Sequence, residues 1–352
     1  MSAPASGKPS DGTDFKQYIE LHRQSVYDTI CKYVPMKEPI EHYKIIRDYI
    51  DRQGSYRRPG IVMLTGQMFG AKQDELLLIA AAEQLSEDWI LMQDDAEDDS
   101  ELRRGKPAAQ RIYGWVHAMN ATDTGHIAMW RMVKDYMLKA GQKDGNRMFE
   151  KFYDMLAYTV EGQYIENKFI HNTKDIGTAS ETLYYRIVDS KTCYYTVYGP
   201  MQIGAIAAKQ PDSVLEMLKD IGTAAGKAFQ ITDDILDMVA DEKVFGKKRF
   251  GDLYEGKLTL MILHAYEQAT DKEKEQIDRI YQKDRSQKSA QEIQFLVDTI
   301  NKYKGLEYAQ EQARRFGEQA KASVEKNWSK FPANEYRNIM FSAISELYIR
   351  KK

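Results

Sequence analysis

The chain has 352 residues, 43% of them hydrophobic and 29% charged, which excludes a disordered chain and leaves enough apolar material for a sizeable core. Lys and Arg number 50 against 53 Asp and Glu, so the net charge is −3 and there is no basic excess to displace counterions from nucleic acid. The two cysteines, Cys31 and Cys193, exclude a disulfide framework or a zinc site and suit reduced thiols in a cytoplasmic protein.

In chain order, residues 1–14 carry Pro4, Gly7, Pro9, Ser10 and Gly12 and read as a disordered polar tail, without the apolar stretch of a signal peptide. Residues 15–352 read as one all-α domain. Two long windows, 108–199 and 212–331, hold no proline, which costs about 3 kcal/mol inside a helix, so both are free to be helical. Within the first, Phe149, Phe152, Tyr153, Leu156 and Val160 recur at threes and fours and predict a shared helix face. The apolar run Gly199–Ala208 is about half of the ~20 residues that span a bilayer. Gly199-Pro200 and Gln210-Pro211 predict kinks or short breaks between helices, not a domain boundary. Asp271-Lys272-Glu273-Lys274-Glu275 reads as a solvated helix face. Val/Ile-rich strands between tight turns are absent, as are repeats of 20–50 residues. The pattern predicts ten or more helices of about 12–25 residues.

The chemistry is written most clearly in Asp94-Asp95-Ala96-Glu97-Asp98 and Asp233-Asp234-Ile235-Leu236-Asp237. Both are D-D-x-x-D, and each follows an apolar helical stretch. One helical turn brings Asp94 over Asp98 and Asp233 over Asp237, and such like-charge pairs destabilise a helix by a few tenths of a kcal/mol. A ligand of opposite sign offsets that cost. Paired carboxylates are hard ligands that suit Mg²⁺, and no His or Cys lies near to favour zinc or a redox metal. The bland reading is two solvated acidic helix ends. A single copy of the pattern is weak, and two independent copies are much stronger. The flanks add cations: Arg103 and Arg104 before Gly105, then Gly246-Lys247 and Lys257. Carboxylates and metal ringed by Arg and Lys suit a diphosphate ester, whose carbon–oxygen bond can ionise without a protein nucleophile.

At these residues the chain resembles the trans-isoprenyl diphosphate synthases, the all-α family that includes farnesyl and geranylgeranyl diphosphate synthases. The resemblance runs from about residue 50 to the C-terminus. Its most specific pieces are Asp94–Gly105, Phe229–Asp237 and Asp252–Lys257 with Thr259, and smaller ones are Glu161-Gly162-Gln163 and Lys191-Thr192. It implies a helical bundle of the isoprenoid synthase type around a central active-site cavity. The implied enzyme is a homodimeric Mg²⁺-dependent prenyltransferase with no membrane span and no nucleic-acid partner. It condenses an allylic diphosphate with isopentenyl diphosphate to a short-chain C15–C20 product. Asp94, Asp95, Asp98, Asp233 and Asp237 would carry three Mg²⁺ ions, with Asp234 and Gln230 nearby. Arg103, Lys191, Lys247 and Lys257 would hold the allylic diphosphate, with Arg104 and Thr192 beside them. By the same resemblance the expelled pyrophosphate would serve as base, which fits six scattered histidines (22, 42, 117, 126, 171 and 264) that read as structural or surface residues. Trp89, five positions before Asp94, would floor the product channel, although a lone aromatic on an apolar helix face is equally at home in a core.

The acceptor half departs from the family pattern. In Gln53-Gly54-Ser55-Tyr56-Arg57-Arg58-Pro59, Arg58 and Pro59 match, while Ser55 stands in the place of a lysine and Tyr56 in that of a further cation. Seven positions before Asp94, where the family usually has a histidine, stands Glu87, followed by Asp88. Arg52, Arg57, Arg104 or the C-terminal Arg350-Lys351-Lys352 are the available compensations. Four readings stay open: ordinary elongation, a terpene synthase-like fate for the allylic cation, prenylation of another acceptor, and a non-catalytic partner subunit.

Overall fold

Helices begin where the sequence supplies caps. Asp14 accepts the Gln17 amide at 2.7 Å while the Gln17 side chain takes the Asp14 amide at 3.1 Å, a reciprocal cap that opens the first helix. The computed structural model describes residues 14–239 and 249–348. The helices are α1 (Phe15–Tyr33), α2 (Ile40–Asp51), α3 (Arg57–Met68), α4 (Gln73–Glu97), α5 (Ala109–Tyr113), α6 (Trp115–Ala140) and α7 (Gln142–Asn167). They continue with α8 (Glu181–Val188), α9 (Gly199–Ala207), α10 (Asp212–Val239), α11 (Gly251–Glu255) and α12 (Leu260–Gln268). The last are α13 (Asp271–Tyr281), α14 (Ala290–Lys302), α15 (Gly305–Lys326) and α16 (Glu335–Tyr348). The protein is all-α, and no helix among the described residues is long and apolar enough to cross a membrane.

Three details differ from the sequence reading. Leu102–Arg103 pairs antiparallel with Lys106–Pro107, a minimal hairpin too short to leave an alternating pattern. Its turn residues Arg104 and Gly105 both sit at positive φ (53° and 74°), as a two-residue type I′ turn requires. Second, Gln210-Pro211 does break the chain between α9 and α10, whereas Gly199-Pro200 starts α9 directly after a π-helical segment, Asp189–Tyr198. Proline fits there because the first turn of a helix needs no donor. Third, the buried side chains of α7 are those of Met148, Phe152, Met155, Leu156 and Thr159, while Tyr153 and Val160 are 54% and 56% exposed. The predicted face is rotated, because aromatic and β-branched residues at threes and fours do not say which edge of the stripe meets the core.

The chain divides into two compact units interleaved in sequence. One comprises the described residues up to Tyr153, with Gly199–Lys219 and Val324–Ile344. It is built on α4, which packs against α6, α3 and α1 and is buried along most of its length. Close helix approach there needs glycine: a Cβ on Gly204 of α9 would stand 2.8 Å from the Gly66 amide of α3. The other unit comprises Asp154–Tyr198, Asp220–Ser323 and the chain from Ser345. In it the π-helical segment lies along α10 at two more glycines, where an added Cβ would meet Tyr198 Cβ at 2.5 Å from Gly222 and Cys193 Cα at 2.7 Å from Gly226. Cys31 and Cys193 are both free thiols.

Candidate functional site

In the first unit, the last turns of α4 present Asp94, Asp95 and Asp98. Helical geometry separates them: Asp94 and Asp98 share a face, and Asp95 turns about 100° away into the protein. Asp95 is fully buried and accepts the Tyr49 hydroxyl from α2 at 2.6 Å. It also takes a two-pronged contact from Arg103, with Nε at 2.8 Å from Oδ2 and Nη2 on Oδ1. Arg103 Nη2 stands 3.9 Å from Asp94. Burial raises the Tyr49 hydroxyl well above its ordinary value, and Asp95 adds to the shift, so Tyr49 stays a donor. The hairpin that carries Arg103 is clipped by Arg52, which donates to the carbonyls of Arg103 at 3.0 Å and Pro107 at 2.9 Å. Gln110 closes the turn, donating to the Asp95 and Ser100 carbonyls at 2.7 and 2.8 Å.

Two turns back along α4, Trp89 is 6% exposed and wedged where α6 crosses. A Cβ on Gly125 would stand 2.9 Å from Trp89 Cβ, and the His126 ring lies 4.8 Å from the indole. Trp130 Nε1 donates to His126 Nε2 at 2.8 Å, so the imidazole is fixed by one indole against another. Glu87 and Asp88 meet two arginines: Arg58 Nη1 is 2.9 Å from Glu87, and Arg104 Nη1 is 3.0 Å from Asp88.

In the second unit, the same pattern recurs on α10. Asp234, 7% exposed, accepts the Tyr184 hydroxyl and the Gln230 amide, both at 2.8 Å. Thr192 donates in turn to Gln230 at 2.7 Å. Desolvation pushes Asp234 up to about 7, against the pull of those two hydrogen bonds, and Asp233 adds to the rise. Lys191 pairs with Glu166 of α7, and a Cβ on Gly162, one turn earlier, would strike the Ser190 side chain. Lys191 and Thr192 ride on the π-helical segment, a rare geometry that concentrates at functional sites. Asp237 accepts the Asp252 amide at 3.2 Å, and burial next to Asp237 holds the Asp252 carboxyl well above the usual carboxylate range. Lys257 pairs with Glu255 at 2.7 Å, and Glu255 also holds Arg285. Lys247 lies outside the described residues, as does the Arg350-Lys351-Lys352 tail.

The other candidate site residues read from the sequence lie among the described residues, whereas Gly246 and the polar tail before Asp14 do not. What sequence reasoning missed are the partners: Tyr49, Tyr184, Glu166, Glu255 and the buried Glu83. Tyr49, Tyr184 and Glu166 sit on other helices and Glu83 lies outside the motif on α4, so spacing carried no signal of them, while Glu255 lay within the Asp252–Lys257 motif without a role read for it. No group of three or more His, Cys, Asp or Glu among the described residues forms a ready-made metal cage. The donor set is instead two carboxylates one turn apart on each helix, which fits a cation that completes its shell with phosphate oxygens and water, as Mg²⁺ does.

The polyprenyl synthetase family model matches residues 40–300. The geranylgeranyl diphosphate synthase of Methanosarcina mazei is 29% identical over 87% of this chain and 90% of that protein. The geranylfarnesyl diphosphate synthase of Aeropyrum pernix is 32% identical over 76% of this chain and 82% of its own length. The crystal structure of a geranylgeranyl pyrophosphate synthase from Corynebacterium glutamicum, complexed with isoprenyl diphosphate and magnesium, shares the fold with a TM-score of 0.83 at 19% identity, covering 96% of this chain and all of that one. The chain belongs to the polyprenyl synthetase family, the trans-isoprenyl diphosphate synthases, and is a prenyltransferase.

Proposed function

We propose that the enzyme ionises an allylic diphosphate and joins it to isopentenyl diphosphate, giving a C15–C20 trans-prenyl diphosphate. The observation that carries this reading is the repeated arrangement of α4 and α10. In each, the outer aspartates share a face while the middle one is held by a buried tyrosine. Asp94, Asp98, Asp233 and Asp237 would hold Mg²⁺, three ions by likeness to the family. Asp95 instead positions Arg103, both its oxygens being engaged by protein donors. When bound, the metal would supply positive charge for the leaving pyrophosphate.

Arg103, Lys191 and Lys257 would grip the allylic diphosphate, each already aimed by a carboxylate: Asp95, Glu166 and Glu255. Lys247 joins them by likeness to the family. The carbon–oxygen bond breaks with its electron pair leaving on pyrophosphate. The isopentenyl double bond attacks the allylic cation, and the proton then lost passes to pyrophosphate. His126 is in no position to be a base, since it is locked between two indoles and burial lowers its basicity. The buried Trp89 supports a short product, limited by the bulk of the indole. A cytoplasmic homodimer completes the reading, since α6 leaves Trp115, Val116, Ile127 and Leu138 exposed, apolar surface that a second copy would cover.

One observation favours a second reading, a terpene synthase-like enzyme or a prenyltransferase to another acceptor. Arg58 and Arg104, the cations nearest the expected acceptor site, are paired with Glu87 and Asp88. Incubation with Mg²⁺ and geranyl or farnesyl diphosphate, with and without isopentenyl diphosphate, separates the two by mass spectrometry. Elongation that depends on isopentenyl diphosphate supports the first reading. A hydrocarbon or alcohol formed equally well without it overturns that reading.

A further inference from the structure

The middle of α4 buries more acid than packing needs. Glu83, Glu87 and Asp88 are 0%, 5% and 1% exposed. Neither oxygen of Glu83 meets a hydrogen-bond donor among the described residues, and Glu87 Oε2 and Asp88 Oδ2 are in the same position. Two arginines from different elements converge on them. Arg58 Nη1 from α3 is 2.9 Å from Glu87 Oε1, and Arg104 from the hairpin turn is 3.9 Å from the same oxygen and 3.0 Å from Asp88 Oδ1.

The frame around the arginines is built. Arg104 is anchored by the Tyr49 carbonyl at 2.8 Å. Gly54 lies so close to its guanidinium that a Cβ there would collide with it. Arg23 of α1 donates to the Gly54 carbonyl at 2.7 Å and lies over the Tyr56 ring at 4.7 Å, with Tyr56 itself buried and held at positive φ (54°). Two guanidinium forks at this spacing would suit a diphosphate. Glu87 already occupies them.

We propose that Glu87 is an internal competitor in the acceptor site, a carboxylate that the acceptor's diphosphate must displace from Arg58 and Arg104, and so the residue that sets acceptor affinity. This rests on the reading that the site serves isopentenyl diphosphate. It has a consequence that simple packing would lack. Burial alone pushes Glu87 up, but Arg58 and Arg104 outweigh it, with help from Arg57, and hold the carboxyl below its usual range. The other groups that face the cluster among the described residues are Glu83 and Asp88 on the same helix, Tyr56 in the loop before α3 and Arg23 of α1. Burial holds Glu83 at about 8 and Asp88 at about 7, the latter in spite of its contact with Arg104, so of the three acids Glu87 is the one that the arginines hold below its usual range. Displaced from its cations while still buried, Glu87 takes up a proton from solvent. Acceptor binding is therefore coupled to proton uptake.

Calorimetric titration of isopentenyl diphosphate into the full chain, in two buffers of different ionisation enthalpy, reads that proton directly and needs no variant. The expected result is net uptake approaching one proton per acceptor bound. Glu87→Gln abolishes the uptake and binds the acceptor at least tenfold more tightly, with KM for it falling by a similar factor. A thermal melt establishes that the variant is folded. Binding to the wild-type protein without proton uptake overturns the proposal, as does no binding at all, or weaker binding by a folded Glu87→Gln. The two readings fail separately. Binding that tightens in Glu87→Gln without any condensation keeps the competitor and discards elongation, whereas normal condensation without coupling does the reverse.

Discussion

Helices α4 and α10 end in the same D-D-x-x-D pattern, and the comparison between them shows how much a motif leaves unspecified. In both, the middle aspartate leaves the shared face and is anchored by a buried tyrosine, Tyr49 at 2.6 Å and Tyr184 at 2.8 Å. The second partner differs. Asp95 is gripped by the cation Arg103, while Asp234 has the neutral Gln230 and is pushed up to about 7 by burial. The turns before the motif differ further. Counting back from the first aspartate, α4 carries Trp89, Asp88, Glu87 and Glu83 where α10 carries Ala228, Lys227, Gly226 and Gly222. On α10 the glycines admit a neighbouring segment at backbone distance, and on α4 the same positions hold bulk and buried charge. One helix is adapted to close approach and the other to shaping what lies beside it.

The largest effects should come from what the helices share. Asp98→Asn and Asp237→Asn should each lower kcat by on the order of 10²–10³, with the apparent Mg²⁺ requirement rising. Steady-state assays over a range of Mg²⁺ check this, and a loss confined to one helix would show that the two clusters are not equivalent. Next come the anchors. Tyr184→Phe should cost about 10–100-fold, as loss of a partner that orients the residues around a metal site typically does, and more than Tyr49→Phe, because Asp95 keeps its arginine. Equal losses would mean that the charge of the second partner is immaterial.

The differences between the helices predict smaller changes. Gly226→Ala should destabilise the fold by about 1–3 kcal/mol in chemical denaturation, since the new Cβ meets Cys193 Cα at 2.7 Å and backbone has to give way. Trp89→Ala should shift products at least one isoprene unit longer by mass spectrometry, and unchanged products would make the indole plain core. The smallest effect concerns Glu83. Burial raises its carboxyl to about 8, whereas in the unfolded chain it titrates near ~4.3. Between those values the folded state holds a proton that the unfolded state has lost, so the contribution of Glu83 to stability is fullest at low pH and falls as pH rises towards 8. Glu83→Gln should flatten that slope in denaturation curves at several pH values.

Much of this was already legible in the chain. Long proline-free windows and helical periodicity determine an all-α fold, because each acts within a few residues of itself. The paired aspartates and the cations that follow them are read from spacing alone, since one helical turn fixes which side chains share a face. The family resemblance marked Glu87 as standing where a histidine is usual, with Asp88 following it. What it could not supply is what those acids touch. Arg58, Arg104 and Gly54 reach Glu87 and Asp88 from separate elements, and Tyr49 and Tyr184 reach the middle aspartates from other helices. The rotated face of α7 and the two-residue hairpin under Arg103 also escaped, the first because periodicity does not give the edge of a stripe, the second because two residues show no period. Local pattern fixes elements and the spacing of residues along them. Partnership between distant side chains, and with it the charge state of a buried carboxyl, is decided only when packing brings them together and removes the water.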